Sequence, residues 1–230
     1  MRRPDFARTN LSGLADRDLE FLIENMPQPG GSYQEIAKLI NDLPTTLESM
    51  LTSEYVFQMI RDQQRQILNI SPFLLFSVLL RRSLARPKSS LDRQVINYLA
   101  NLLTLFIRTD RVYRVELGDS EPREYVVDLL QDVQEADPHR QFITYAHIGN
   151  YALWLTGLQL DWLEYRHRYH RRPIDTQYYV ASGQSNFGQA ARHRLAREFS
   201  LEDVFLRLAM RFEYYKQGLN YMTRHFVPMG

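Results

Sequence analysis

The 230-residue chain is long enough for one large domain or two small ones, and can bury about 70% of its unfolded-state surface without a metal or disulfide staple. Its 44% apolar and 24% charged content is that of an ordinary globular protein, and 28 basic against 27 acidic residues lack the basic excess of a dedicated nucleic-acid binder. The lack of cysteine excludes disulfide frameworks, thiolate metal sites and cysteine nucleophiles, and no cofactor is expected.

The N-terminus, MRRPDFARTN, carries a proline and an aspartate where a secretory signal would be apolar. Residues 1–12 are expected to form a flexible lead-in. Helices follow at 14–26 and 33–42, separated by the loop MPQPGGS, and the second is opened by the capping box Ser32-x-x-Glu35. Thr45-x-x-Glu48 is a second capping box, for a helix over 46–69, and Ser71-Pro72 starts one over 72–86. RPKSS at 86–90 reads as a loop. In 91–107, Val95, Ile96, Leu99, Leu102, Leu103, Phe106 and Ile107 recur at three- and four-residue steps, a wide core-facing stripe.

The stretch RVYRVEL at 111–117 alternates and is rich in β-branched residues. That favours a short extended piece ahead of a helix at 123–135 over a hairpin. Asp137-Pro138 opens a helix at 138–158, and further helices are expected at 159–170 and 175–198. Ser200-x-x-Asp203 heads a final helix over 201–226 of about seven turns. On it Leu208, Phe212, Tyr215, Leu219, Met222 and Phe226 repeat in heptad steps. The longest apolar runs, such as FLLF at 73–76, fall far short of a membrane span, so a cytoplasmic protein is expected. The expected fold is all-α: a single domain over 1–230, a bundle of eight to ten helices ending in a long one.

Common catalytic signatures are missing: there is no phosphate loop ending in GK[ST], no dinucleotide-binding G-x-G-x-x-G and no H-E-x-x-H. GQSNFG at 183–188 has a nucleophile elbow's glycines one residue too far apart and no strand before it. The densest polar cluster is DWLEYRHRYHRR at 161–172. Its Glu164-x-x-His167 pair is the ligand spacing of di-iron bundles, but no second such pair exists, and four arginines would repel a cation. The residues read more simply as a solvated helix end whose cations complement the dipole, so no metal site is expected and nucleic-acid binding is disfavoured.

Two segments place glycine inside helical patterns: HIGNYALWLTGL at 147–158 and TQYYVASGQSNFGQAA at 176–191. An interior glycine costs a helix about 1 kcal/mol relative to alanine, so a close approach should compensate. Either the two helices pack tightly with their polar groups satisfied, or a pocket lies beside them lined by His147, Asn150, Tyr179 and Gln184. On the last helix a second stripe holds Arg207, Arg211, Tyr214, Gly218, Tyr221 and His225. Arg207, Arg211 and Tyr214 could hold an anion, or the arginines could lay their stems over the core edge.

The two glycine-bearing segments read His-x-Gly-Asn-x-x-Leu-x-x-x-Gly-Leu and Tyr-Tyr-x-x-x-Gly-x-x-x-Phe. Over residues 147–191 the chain resembles a family of uncharacterised bacterial all-helical proteins, in which Asp more often stands at the position of Asn150. The resemblance implies a helical fold in bacteria and no activity. The function expected is that of a non-enzymatic interaction or scaffold protein, with a second copy or another protein as partner. The alternative is a small-molecule binder or enzyme with a polar pocket between the helices at 138–158 and 175–198.

Overall fold

A computed structural model describes residues 3–25, 44–63, 69–116, 118–122, 126–159, 163 and 176–227. These contain twelve α-helices and no strand, which makes the fold all-α. In chain order they are α1 (Asp16–Glu24), α2 (Pro44–Leu51), α3 (Glu54–Gln63), α4 (Pro72–Ser83), α5 (Ser90–Phe106) and α6 (Thr109–Val112). There follow α7 (Val126–Glu135), α8 (Pro138–Leu158), α9 (Thr176–Arg192), α10 (Arg194–Glu198), α11 (Glu202–Met210) and α12 (Phe212–Phe226).

Capping chemistry fixes the starts of the central helices. The Ser71 hydroxyl accepts the Leu74 amide at 3.1 Å with Pro72 in the first turn, and Asp137 accepts the His139 and Arg140 amides at 2.8 and 3.1 Å ahead of Pro138. Ser89 and Asp92 form a reciprocal box at the head of α5. Helix α8 is the hub. Its buried residues between Phe142 and Gly157 run round the whole helix, so it presents no polar face and sits inside the bundle. Helices α9 and α12 pack against it, with α7 alongside; α11 lies on α9 and α5, and α4 lies between α5 and α12.

Several boundaries differ from the sequence reading. The helix expected over 46–69 breaks at Thr52–Ser53, where the Thr52 hydroxyl donates to the Glu48 carbonyl at 2.9 Å and Ser53 becomes the lead residue of α3. Thr45 lies inside α2 rather than capping it, and Glu48 turns to Arg81 instead. The helix expected over 175–198 breaks at His193, whose Nδ1 accepts the Leu195 amide at 3.2 Å. The long C-terminal helix is in fact α11 and α12, broken at Arg211 without proline or glycine. The break has a tertiary cause: it lets the first half pack on α9 and α5 while the second packs on α8 and α4. The heptad seam survives it, with Leu208, Phe212, Tyr215, Leu219 and Met222 all buried.

The extended piece expected at 111–117 is not formed; Arg111 and Val112 end the short helix α6, and irregular backbone follows at 113–116. Residues 3–12 are no flexible lead-in. Phe6 and Ala7 are buried, with the Phe6 ring 6.3 Å from Phe142 and 6.5 Å from Phe205. Asp5 takes a two-point ion pair from Arg111 at 2.9 and 2.7 Å, and its carbonyl accepts from Asn101 at 3.0 Å. The helices expected at 33–42 and 159–170 lie outside the described residues apart from Gln159, which caps α8, and Leu163. No helix among the described residues is long and apolar enough to cross a membrane.

Candidate functional site

The first candidate set converges on the crossing of α8 and α9, and that crossing is filled. A Cβ built on Gly149 would stand 2.6 to 2.8 Å from three ring atoms of Phe187. One built on Gly183 would overlap the Phe212 ring and reach 3.0 Å from Ala152 Cβ. Both glycines are buried, so each recovers its helix penalty by admitting an aromatic ring to the backbone surface. Asn150 Oδ1 accepts the hydroxyl of Tyr98 at 2.8 Å, with both residues buried. Burial holds the Tyr98 phenol well above its ordinary pKa, so it donates at any physiological pH.

His147 is 2% exposed, its ring edge to face with Phe106 at 6.1 Å, and its Nε2 has no hydrogen-bond partner among the described residues. Burial, reinforced by the charges of Arg111 and Arg140, pushes its pKa down to about 3. The imidazole is therefore neutral near pH 7 and cannot trade protons there. Tyr179 and Gln184 are half-buried at the edge of the crossing, Tyr179 against Tyr151 at 6.4 Å. Among the described residues the four thus share no common polar pocket: two are built into the core and two sit at its margin.

Arg207, Arg211 and Tyr214 belong to a different place, the junction of α12 with the α4–α5 connection. Arg207 donates to Asp92 at 3.0 Å, the Arg211 guanidinium lies 4.2 Å over the Tyr214 ring, and the Tyr214 oxygen accepts the Ala85 amide at 2.8 Å. A cleft of about 180 Å³ opens there, and its walls include Arg86, Lys88 and Tyr215. Sequence reasoning missed those three. Arg86 and Lys88 stand in the RPKSS loop, and the heptad seam already accounts for Tyr215.

The remaining buried charges staple the fold. Arg81 makes a two-point pair with Glu48, at 2.8 Å each, and also donates to Asn97 at 2.9 Å. Asp18 accepts the Ser71 amide and hydroxyl at 2.6 Å each, joining the starts of α1 and α4. GQSNFG at 183–188 is helical throughout and has no elbow. The cluster at 161–172 lies outside the described residues except Leu163; among those described, no group of three metal-ligating side chains occurs. Protein-family models, curated proteins and solved structures give no match to the chain.

Proposed function

We propose that the chain is an interaction protein that works through its surface and pairs with a second copy of itself through the outer face of α11. One observation carries this reading: Leu206 and Met210, one turn apart on that face, are 47% and 75% exposed. The opposite face of the same helix buries Val204, Phe205 and Leu208. Met210 and Leu206 therefore form an apolar strip that the described residues leave uncovered, with exposed Asp203 and Glu213 near it in sequence. A formal charge of only +1 lets two copies approach without long-range repulsion, and a two-fold dimer is the commonest closed assembly.

The filled crossing also supports a surface role, since Asn150 is spent on Tyr98 and the rings of Phe187 and Phe212 occupy the space at Gly149 and Gly183. Sedimentation velocity at micromolar concentration tests the reading. Wild type should sediment at twice the 27.3 kDa chain mass, and the Leu206→Glu/Met210→Glu variant as a monomer with unchanged helical circular dichroism. A wild-type chain that sediments as one 27.3 kDa species would overturn it.

A further inference from the structure

The cleft at the head of α12 has walls fixed by three independent links. The Ala85 amide donates to the Tyr214 oxygen at 2.8 Å, Arg207 donates to Asp92 at 3.0 Å, and Leu84 fills the space left by the missing side chain of Gly218. Leu84 and Ile96 supply apolar lining. Three cations also line it, Arg86, Lys88 and Arg211, all exposed and none in an ion pair with a described residue. The single carboxylate, Asp92, is already engaged: it takes Arg207 on one oxygen and the Lys88 and Ser89 amides at 3.1 Å on the other. The cleft therefore carries uncompensated positive charge on a preformed frame.

Tyr215 supplies the second, independent observation. It lines the cleft, is only 3% exposed, and its hydroxyl makes no hydrogen bond among the described residues. The hydroxyl is not sealed in the core but stays open to the cleft, and its charged neighbours are Arg207, Arg211 and Asp92. Burial pushes the phenol up to about 12, so it keeps its proton and can only donate to an anion near pH 7. The first turn of the 17-residue helix α5 stands at the mouth and adds a favourable dipole.

We propose that this cleft binds a small phosphate monoester, with the phosphoryl oxygens between Arg86, Lys88 and Arg211 and one of them accepting the Tyr215 hydroxyl. Three cations match a dianion better than a monocarboxylate, and a volume of about 180 Å³ is below that of drug-sized pockets, which limits the ligand to a small one. Neither Leu206 nor Met210 lines the cleft, so the site stands or falls separately from self-association.

Isothermal titration of the full chain with O-phosphoserine and with inorganic phosphate, against acetate as the monocarboxylate, tests the proposal. Both phosphates should bind and acetate should bind at least tenfold more weakly. Tyr215→Phe, which keeps the buried ring, should weaken phosphate binding about tenfold, and Lys88→Gln, an exposed change harmless to folding, by about tenfold or more. Arg194→Gln, elsewhere on the surface, should leave it unchanged. Vesicles containing phosphatidic acid carry the same monoester in a bilayer. Co-sedimentation with them, displaced by O-phosphoserine, would identify a lipid headgroup as the source; calorimetric binding without co-sedimentation would identify a soluble metabolite. No heat with either phosphate at millimolar concentration, or binding equal in wild type, Tyr215→Phe and Lys88→Gln, would overturn the site.

Discussion

Replacing Gly149 by alanine adds one methyl group against the face of Phe187. Relaxed carbon contacts lie at about 3.5–4.0 Å, whereas the new Cβ would stand 2.6 Å from Phe187 Cδ1 and 2.7 Å from Cε1, so the ring must retreat by about 1 Å. It has nowhere to go: Phe187 is fully buried, stacked on Phe205 at 5.8 Å and tilted against Phe212 at 6.3 Å. Overpacking of this kind costs about 1–3 kcal/mol, and the locked rings argue for the upper end. Alanine returns about 1 kcal/mol through helix propensity. The net loss is about 2 kcal/mol, which in a chain of this size lowers the thermal midpoint by roughly 4–8 °C. Gly183→Ala meets Phe212 and Ala152 and should behave alike. Gly118 is the comparison: a methyl group there would find nothing within 4 Å, and Gly118→Ala should melt within a degree or two of wild type or above it. Scanning calorimetry gives the readout. In a double-mutant cycle, Gly149→Ala with Phe187→Leu should be more stable than the sum of the single changes by about 1 kcal/mol or more. If Gly149→Ala and Gly183→Ala both melt higher than wild type, the tight crossing is refuted.

Three further outcomes follow from single residues. Tyr98→Phe strands Asn150 Oδ1 in the core and should cost about 1–3 kcal/mol in urea denaturation, with helix content unchanged. His147 has a folded pKa of about 3, below the ordinary value near 6.5, so below pH about 6.5 the unfolded chain takes up a proton that the folded one refuses. Its contribution is therefore fully present above that pH and is lost towards pH 3, at about 1.4 kcal/mol per pH unit. His147→Leu should flatten the urea midpoint between pH 7 and pH 5, and an unchanged slope would contradict this. Ser200 sits at φ 57°, the left-handed position that follows α10, where the Leu201 amide reaches the Ala196 carbonyl at 2.7 Å and the Ser200 amide the Arg197 carbonyl at 3.1 Å. Glycine fits that backbone without the Cβ penalty, so Ser200→Gly should gain about 1 kcal/mol, or roughly 2–4 °C in thermal midpoint.

The helical periods of the chain were legible because they depend on local spacing. The starts of α4 and α8 follow from Ser71-Pro72 and Asp137-Pro138, and the close approaches at Gly149 and Gly183 follow from the energetic cost of glycine inside a helix. The breaks at His193 and Arg211 were not legible, since neither residue is a helix breaker and the cause is which neighbours each half packs on. The same holds for the buried polar pairs. Glu48 and Arg81 lie 33 residues apart, Asp18 and Ser71 53, and Asp5 and Arg111 106, so no local pattern joins them. That is also why residues 3–12 read as loose: their anchors are Arg111, Asn101 and Asn97, far along the chain. His147 and Asn150 stand out in the sequence but suggest a pocket there, because the sequence does not show that Tyr98 and Phe106 come to meet them. Arg86 and Lys88 gain meaning only when Tyr214 pins the preceding backbone beside Arg211.

The claim on which the rest turns is that the polar residues of the α8–α9 crossing form a closed structural interior, leaving binding to the surface. A crystal structure that shows ordered solvent tests it most directly. The Phe187 ring should lie against Gly149, the Phe212 ring against Gly183, and the Tyr98 hydroxyl on Asn150, with no solvent or ligand density between the two helices. An enclosed water cluster or bound molecule touching His147 Nε2 and Asn150 would contradict it and return the functional site to the core.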